Sequence, residues 1–424
     1  MKKLLVVLGA GASIDFGMPR VTDVDELFEK LASQHFPIIE NRTSVNDNLY
    51  NWVKSNFNKY ELKNLNYEDM MFKIQSIASL SKNHKICFGN DSDYVLPKVF
   101  PKIRSYYHYE TIANSNELIK MNAVLNHGLL TTIREKSKNL QTEKEVELKR
   151  IKQFFNYLSQ DFEIGFVNLN HDNVLLSAMP ELKTGFDKDT GKFNSEIFYN
   201  NEWNFCYHIH GSIHFNMEDE NIMWKEDLNG KFGLGAPNRR SFDTEEGATH
   251  PMSTIITGKD KINQIYREPF RQYFLSLDKK IYESDTILFI GYGFNDSYLN
   301  ELLRTHSLDK SKRRNIVVID YQEEALRSLS EGGSEWGVKL LSTAATPFYQ
   351  MGNGSTNTDY RPDKVDEYKR TRTFEFSDSY DNPLYVWYSG FLDACENKEK
   401  VKKALDGYVY EPNGCLSKTR TGYH

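Results

Sequence analysis

The chain has 424 residues, of which 39% are hydrophobic and 26% are charged, and its formal net charge is -6 at pH 7. This composition is typical of a soluble globular protein, and the negative charge argues against a broad surface for nucleic acid. Apolar runs are too short to span a membrane, and glycines interrupt the apolar N-terminus before it reaches the length of a signal peptide. We therefore expect a cytoplasmic protein that binds neither nucleic acid nor a membrane directly.

Four cysteines, Cys87, Cys206, Cys395 and Cys415, are scattered along the chain without any CxxC pair. This spacing excludes a four-cysteine zinc ribbon and argues against a framework of disulfides.

The first element is a strand, because Leu4 to Leu8 form a short continuous apolar run of the kind buried on both faces of a parallel sheet. The run ends at Gly9-Ala10-Gly11-Ala12-Ser13, where two glycines allow a tight turn and the close approach of a ligand. Free amides at such a turn favour an anion such as phosphate. The glycine spacing differs from GxGxxG, so the turn alone also fits a tight turn without a ligand.

Strands and helices alternate along much of the remaining chain. A helix is predicted over Val24 to Ala32, and residues from about 37 to 152 are aromatic and polar with helical patches and no convincing buried strand, which predicts a helical insertion. The further predicted strands are Glu163 to Leu169, Asn204 to Ile209, Ser253 to Thr257, Thr286 to Ile290, Asn315 to Asp320 and Val338 to Leu341. A long amphipathic helix is predicted over Ile262 to Tyr282, and another helix from about Ser297.

This alternation predicts an α/β fold, a Rossmann-like doubly wound parallel sheet with a large helical insertion after the first strand and a C-terminal extension. We expect one catalytic domain over residues 1–345 and an accessory segment over 346–424 that contacts an oligomer partner or another protein. The stretch Gly352 to Thr358 is polar and glycine-bearing, which is typical of a flexible link.

Polar residues follow three predicted strands at the point where each strand ends. Asn170 and Asp172 follow one, His210 follows the next, and Asn295 with Asp296 follow a third. Ligands bind at the carboxyl ends of strands in an open parallel sheet. We therefore expect these side chains to converge with the glycine turn on one crevice.

The spacing of His208, His210 and His214 raises the possibility of a metal site, since His208 and His210 would share one face of a strand. No nearby Cys, Asp or Glu obviously completes a ligand shell, so we expect no metal. A structural role for His210 is the remaining alternative to a catalytic one.

Four segments carry a resemblance to a known family. GAGAS with Met18-Pro19-Arg20, then LNHDN, HIHGS and IGYGFND resemble, in this order, the sirtuin (SIR2-like) superfamily over roughly residues 1–345, without the insertion. The resemblance implies that the first turn binds the pyrophosphate of NAD+, that an asparagine and an aspartate hold the nicotinamide-side ribose, and that a histidine lies over this ribose. It implies that the GYG segment contacts the adenosine half. The implied cofactor-binding residues are Gly9, Ala10, Gly11, Ala12, Ser13, Pro19, Arg20, Asp172, Gly291, Gly293, Asn295 and Asp296, and the implied catalytic residues are Asn170 and His210.

Departures from the family pattern bear on the activity. Sirtuin deacylases carry a zinc ribbon of paired CxxC motifs, which this sequence lacks; Leu169 stands where they have glutamine, and His171 where they have isoleucine or tyrosine. The chain resembles instead the bacterial SIR2-like branch of antiphage defence, some members of which are encoded beside a HerA-type ATPase. Those proteins hydrolyse NAD+, so the resemblance implies NAD+ as the substrate and a HerA-type ATPase as a partner.

The chemistry of NAD+ hydrolysis fits the predicted residues. Cleavage of the nicotinamide bond develops positive charge on the ribose, so the site needs a held sugar and a positioned water. Asn170 would hold the water or the ribose hydroxyls, His210 would accept a proton, and Asp172 would orient the ribose. We expect an NAD+ glycohydrolase; the alternatives are a non-catalytic NAD or ADP-ribose sensor, and a deacylase or ADP-ribosyltransferase.

Aromatic residues outside the predicted sheet favour a homo-oligomer, since interfaces are enriched in them. They lie in the insertion and in the C-terminal segment: Tyr106, Tyr107, Tyr109, Tyr380, Tyr385, Trp387 and Tyr388. The alternative is that the tyrosines pack against helices of the insertion itself.

Overall fold

The computed structural model describes most of the chain. The described residues are 1–40, 43–58, 65–83, 100–199, 203–218, 221–230, 241–243, 249–251, 253–258, 264–309, 311–322, 329, 334–347, 351, 364–377, 379, 381–410 and 416–418.

Strands and helices alternate within these ranges. The strands are β1 (Lys2–Leu8), β2 (Pro37–Glu40), β3 (Thr43–Asn48), β4 (Lys102–Arg104), β5 (Glu110–Ile112), β6 (Phe162–Asn168), β7 (Cys206–His208), β8 (Phe215–Glu218), β9 (Asn221–Trp224), β10 (Ser241–Asp243), β11 (Thr249–Pro251), β12 (Thr286–Ile290), β13 (Asn315–Ile319), β14 (Glu375–Phe376), β15 (Leu384–Trp387), β16 (Tyr408–Tyr410) and β17 (Leu416–Lys418). The helices are α1 (Val21–His35), α2 (Leu49–Asn58), α3 (Tyr67–Asn83), α4 (Ser115–Ser137), α5 (Leu140–Glu143), α6 (Glu145–Leu158), α7 (Val174–Ala178), α8 (Ser195–Tyr199), α9 (Phe270–Glu283), α10 (Ser297–Leu308), α11 (Glu335–Thr343), α12 (Lys364–Thr371), α13 (Phe391–Glu396) and α14 (Lys398–Leu405).

A seven-stranded sheet in the order β14-β15-β13-β12-β1-β6-β7 forms the centre of the molecule. Every pairing in it is parallel except that of β14 with β15. The chain extends the sheet from β1 through β6 to β7 and then returns to the other side of β1 with β12. The strand order therefore reverses between β1 and β12, which confirms the predicted Rossmann-like doubly wound fold.

Alternate side chains of β1 enter two separate cores, one on each face of the sheet. Leu4, Val6 and Leu8 pack into a core shared with α1, α3, α4 and α6, whereas Leu5 and Val7 pack into a core shared with α9, α10 and α11. This arrangement is why β1 reads as a continuous apolar run rather than an alternating one.

The insertion after β1 contains strands as well as helices. Helices α2 to α6 lie within it, as predicted, but β2, β3, β4 and β5 form an antiparallel sheet in the order β3-β2-β4-β5. Ile38, Ile39 and Ile103 of this sheet are buried, so the expectation of no buried strand is wrong. The strands are only three to six residues long, and runs that short leave little periodicity to recognise.

Three further predictions of secondary structure need correction. Residues 253–257 form no strand; Ile255 makes only an isolated bridge with Gly211. Residues 338–341 belong to α11, in which the Gly337 amide donates to the N-cap side chain of Ser334. The long helix begins at Phe270, after Pro269 at its N-cap position, and the predicted positions 262 and 263 lie outside the described residues.

The C-terminal segment completes the main sheet. β15 pairs in parallel with β13, and β14 pairs with β15 at the edge. Tyr385, Trp387 and Tyr388 are consequently buried, so the expectation that they lie outside the sheet is wrong. Tyr380 and the predicted link at 352–358 lie outside the described residues, and a domain division at residue 345 remains a prediction.

No helix within the described ranges combines the length and the apolar character needed to cross a bilayer.

Candidate active site

A cleft of about 550 Å3 opens at the carboxyl ends of the central strands. The predicted site residues that line it are Gly9, Ala10, Gly11, Ser13, Pro19, Arg20, Asn170, Asp172, His210, Gly291, Gly293, Asn295 and Asp296. Ala12 does not line the cleft; it is buried in the core beneath the turn. Loops that follow four strands, β1, β6, β7 and β12, thus meet in one cavity of a size ordinary for a ligand site.

The glycines of the first turn pack against the loop after β12. Gly9 N donates to Ile290 O at 2.9 Å, and Gly11 N donates to Gly291 O at 2.9 Å. A Cβ on Gly9 would lie 2.5 Å from Gly291 O, and a Cβ on Gly291, whose φ is +59°, would lie 2.2 Å from Ala12 N. Only glycine permits this contact between the two loops.

The amides of this turn are largely used inside the protein. Those of Gly9 and Gly11 bond the β12 side, and Ala12 N donates to Gly9 O at 3.0 Å. The expectation of free amides at the turn is therefore wrong for these three residues. Arg20 is exposed and lines the cleft, and no other Arg or Lys does so among the described residues.

Asn170 joins the β6 loop to the first turn. Its Nδ2 donates to Gly9 O at 2.8 Å and to Ser13 Oγ at 3.0 Å, while its own amide donates to Asn168 Oδ1 at 3.0 Å. The side-chain donor is thus committed to the turn. The carboxamide oxygen, an acceptor only, is the part of Asn170 that a ligand or water would use.

Asp172 lies beside Asn170 and is buried. Its Oδ1 accepts from Val174 N at 2.9 Å, and the Ser13 hydroxyl is a second donor. Burial raises the pKa of Asp172, and the Val174 amide and the Ser13 hydroxyl oppose that rise. These contacts fix the carboxyl at the start of α7.

His210 pairs with Asp296 across the cleft. His210 Nε2 lies 2.8 Å from Asp296 Oδ2, and both side chains are buried. The second carboxylate oxygen of Asp296 accepts from Leu299 N at 3.0 Å and so caps α10. Because an ionised carboxylate only accepts, Nε2 carries a proton, and in the neutral imidazole the lone pair is then on Nδ1.

A backbone hydrogen bond fixes the position of the His210 main chain. Ile256 N donates to His210 O at 2.9 Å, and Gly211 follows with a φ of +97°. The next loop residues reach the β6 loop, since Ile213 N donates to His171 O at 2.8 Å. The two loops that carry Asn170 and His210 are therefore joined.

His208 is fully buried, and its ring contacts other residues. Its ring lies 3.5 Å from both Cys206 Sγ and Asn168 Nδ2, and burial, reinforced by the nearby His214, lowers its pKa to about 3. His208 is therefore neutral at physiological pH. Within the described part of the chain no group of three His, Cys, Asp or Glu side chains is placed to hold a metal ion.

The loop after β12 is supported from behind by α11. Trp336 Nε1 donates to Tyr292 O at 3.2 Å, and Lys339 Nζ lies 2.7 Å from Asn295 Oδ1. Because residues 338–341 were predicted to form a strand, the contact of this helix with the site could not be predicted. Tyr292 Oη donates to Asn300 Oδ1 at 2.7 Å, which ties the same loop to α10.

Several cleft residues were not predicted from the sequence. Tyr67, Glu68, Leu129 and Ile133 come from the insertion, whose packing over the sheet no local pattern indicates. Asp320 follows β13. The rule that ligands bind at the carboxyl ends of parallel strands, which pointed to the other site residues, therefore applies to Asp320 as well.

A family model for the SIR2-like domain matches residues 165–338. This range is less than half of the chain; it contains the asparagine, histidine and GYG segments and excludes the first turn. The SIR2-like resemblance is thereby confirmed for these residues. No curated protein matches the chain.

Solved sirtuin structures share a weak overall likeness with the chain. One is a mutant Sir2 homologue in complex with 2'-O-acetyl ADP-ribose, at 11% identity and a TM-score of 0.28, covering 75% of this chain and 80% of that one. Another, described under the mechanism and regulation of Sir2 enzymes, has 11% identity and a TM-score of 0.27, with coverages of 76% and 82%. At these values the likeness carries no inference about residues or activity.

Proposed function

We propose that the chain is an NAD+ glycohydrolase that releases nicotinamide and ADP-ribose. The observation that carries the proposal is the buried His210–Asp296 pair in the cleft that Asn170 also lines. A histidine held by a carboxylate is suited to accept a proton at neutral pH. The match of residues 165–338 to the SIR2-like domain family supports NAD+ as the substrate.

In the proposed reaction the bond between ribose C1' and the nicotinamide nitrogen breaks, and its electron pair leaves with nicotinamide. Water attacks C1', and His210 accepts the proton that the water loses, so the products are nicotinamide, ADP-ribose and one proton. The Asn170 carboxamide oxygen would accept a hydrogen bond from that water or from a ribose hydroxyl. Asp172 would orient the ribose, and Asp296 would hold the His210 ring with its lone pair on Nδ1.

The pyrophosphate would lie over the first turn between β1 and β12, where the strand order reverses. Since the amides of Gly9, Gly11 and Ala12 have protein partners, we assign the charge compensation for the pyrophosphate to Arg20. Gly291, Gly293 and Asn295 would then contact the adenosine half, with Pro19 beside the turn.

Protein deacylation and ADP-ribosyl transfer are less well supported. Both need room for a peptide or protein acceptor beside the ribose. The insertion supplies Tyr67, Glu68, Leu129 and Ile133 to the cleft wall, and the sequence has no CxxC pair for a zinc ribbon. Water needs less room beside the ribose than a peptide or protein acceptor does, so hydrolysis fits this cleft better than group transfer.

We further propose that NAD+ depletion serves antiphage defence in the cytoplasm, with a HerA-type ATPase as partner. This part rests on the resemblance of the four sequence segments to the zinc-ribbon-less bacterial branch. We propose a homo-oligomer as well, with the insertion as the contact surface. Its Tyr107, Tyr109 and Ile112 are 46%, 48% and 65% exposed.

The deciding experiment incubates purified full-length protein with NAD+ alone and measures free nicotinamide and ADP-ribose by chromatography. We expect both products in equal amounts, and none from His210→Ala with an unchanged melting temperature. A folded wild-type protein that binds NAD+ without releasing nicotinamide would favour the sensor alternative. Release only when an acylated peptide is added would favour deacylation.

A further inference from the structure

A short segment, residues 255–257, lies between the loop that carries His210 and the insertion. Ile256 N donates to His210 O at 2.9 Å, and Ile255 forms an isolated antiparallel bridge with Gly211. All three residues of this linking segment are buried. The main chain at His210 and the linking segment are therefore held together directly.

The other side of the linking segment is bound to the insertion. Thr257 Oγ1 donates to Asn126 Oδ1 at 2.9 Å, and Asn126 Nδ2 donates to Asn122 Oδ1 at 3.1 Å. Both asparagines belong to α4, and both are buried. The next residue of the chain, Gly258, approaches α3, since a Cβ there would lie 3.2 Å from Phe72 N. Two helices of the insertion thus contact the linking segment or the residue after it.

The two asparagines stand among apolar residues of α4. The buried neighbours on this helix include Leu118, Leu125 and Leu129. Burial of an amide lowers stability unless its polar atoms form hydrogen bonds. Apolar side chains at positions 122 and 126 would pack without a preferred direction, whereas a hydrogen bond fixes both a distance and an angle. The asparagines therefore fix where the linking segment lies on α4.

We infer that Asn126 and Thr257 are positioning residues through which the insertion holds the main chain of His210 in place. This inference rests on the proposed function, in which His210 is the base. Asp296 holds the ring of His210, but the ring is positioned only when the main chain that carries it is fixed as well. A displacement of about 1 Å at a reacting group lowers a rate by about 100-fold. Asn126 would thus act on the reaction without lining the cleft.

The kinetic test removes the Thr257 hydroxyl. Thr257→Val keeps the shape of the side chain without the hydroxyl, so we expect kcat for NAD+ hydrolysis to fall by about tenfold or more, with KM changed by less than about threefold. Thr257→Ser keeps the hydroxyl and should keep kcat within about threefold of the wild type. Asn126→Leu should lower kcat as Thr257→Val does, and the double variant should lower it no further, because both changes remove the same hydrogen bond.

Thr254→Val is the matched control for the exchange of a hydroxyl for a methyl group. Thr254 is fully buried, and its hydroxyl has no hydrogen-bond partner among the described residues. This variant should keep the kcat of the wild type.

A measurement without NAD+ separates positioning from a general loss of stability. In NMR spectra of the full chain with isotope-labelled histidine rings, the His210 signal is the one that His210→Ala removes. We expect Thr257→Val and Asn126→Leu to shift this signal and Thr254→Val to leave it unchanged.

The two proposals fail in different ways. A wild-type kcat in Thr257→Val, an equal loss in Thr257→Ser, or an unshifted His210 signal would overturn the positioning role even if NAD+ is hydrolysed. If the wild-type protein releases no nicotinamide, the glycohydrolase is overturned, and the His210 signal alone decides whether the insertion positions this residue. Should Thr257→Val not fold, Asn126→Leu tests the same hydrogen bond from its other end.

Discussion

Asp296 uses its two carboxylate oxygens for two different tasks. One oxygen caps α10 through Leu299 N, and the other holds the His210 ring. The cap fixes the carboxylate in space, and the carboxylate in turn fixes the tautomer and orientation of the imidazole. A residue predicted only as a cofactor contact thereby becomes a positioning residue for the proposed general base.

Asp296→Asn separates these two tasks, because asparagine is an equally good N-cap residue. Its amide nitrogen would face Nε2 as a donor, and the imidazole proton would move to Nδ1, where a lone pair is needed. We expect kcat to fall by about 100-fold or more, with KM for NAD+ changed little.

Melting temperature and the pH dependence of kcat are the accompanying measurements. A merely structural role for Asp296 would lower the melting temperature and leave the shape of the pH profile unchanged. Asn295→Ala, at the neighbouring cleft position, serves as the control and should keep the pH profile. A kcat for Asp296→Asn near that of the wild type would refute the assignment.

The lowered pKa of His208 predicts how the stability of the protein depends on pH. Its pKa is lowered from 6.5 to about 3 in the folded protein, so the unfolded chain binds more protons between these values. The free energy of unfolding from this residue therefore falls as pH drops below 6.5. Asp25 and Asp320, with pKa values raised to about 6 and about 7, act in the opposite sense.

Because these residues have opposing effects, the contribution of His208 is measured as a difference in unfolding free energy between the wild type and a variant without this histidine. Denaturant unfolding of the wild type and of His208→Gln at pH 7.5 and 5.5 isolates the histidine. Between these values the wild type should lose about 1.4 kcal/mol more than the variant. An equal change in both proteins would mean that His208 is protonated in the folded state.

At the scale of the elements, the site depends on the contact between the loops after β1 and β12. Each loop carries a glycine where the other loop approaches, and Asn170 adds a third connection from β6. The glycines that suggest ligand binding in the sequence therefore serve loop packing first. A substitution there alters the shape of the site rather than filling it.

Gly291→Ala should destabilise the fold by about 3 kcal/mol or more, since its Cβ would meet Ala12 N at 2.2 Å with φ at +59°. Gly17→Ala is the matched control. Gly17 also has a positive φ, +78°, but a Cβ there meets nothing within 4 Å. That change should cost only about 1–2 kcal/mol, the cost of the left-handed backbone conformation for alanine. Equal losses in thermal unfolding would show that backbone strain, and not the loop contact, sets the need for glycine at 291.

The sequence predicted the elements whose patterns are local and continuous. The apolar runs of β1, β6, β12 and β13 are buried on both faces, and such runs are recognisable without any partner. Val338 to Leu341 has three apolar residues out of four but belongs to α11. The prediction failed there because a run of four residues does not distinguish a strand from one turn of a helix. The pairing of His210 with Asp296 spans 86 positions and depends on how two loops pack, which no local pattern encodes.

At the scale of the whole molecule, the insertion carries a cluster of exposed aromatic and apolar side chains. Tyr107 and Tyr109 stack at 6.5 Å beside Lys120, and Ile112 is exposed on β5, the edge strand of the small sheet. The buried C-terminal aromatics no longer argue for contacts there. The proposed contact region of the homo-oligomer is therefore restricted to the insertion.

Light scattering should give the mass of an oligomer for the full chain at micromolar concentration. The double substitution Tyr107→Ser with Ile112→Lys should reduce it to a monomer, because a lysine on an edge strand opposes pairing. Tyr199→Ser, equally exposed but outside the insertion, should leave the mass unchanged. A monomeric wild-type protein would sink the proposal.

The late position of β15 in the sequence has a consequence for synthesis on the ribosome. Residues 2 to 320 contain the proposed reactive groups, yet the carbonyl of Trp387 and the amide of Gly390 that hold Asp320 are translated almost seventy residues later. A nascent chain therefore has β13 as an unpaired edge, with the adenosine end of the cleft unfinished. Under the proposed function, translation order delays NAD+ destruction until the segment through Gly390 has emerged from the ribosome.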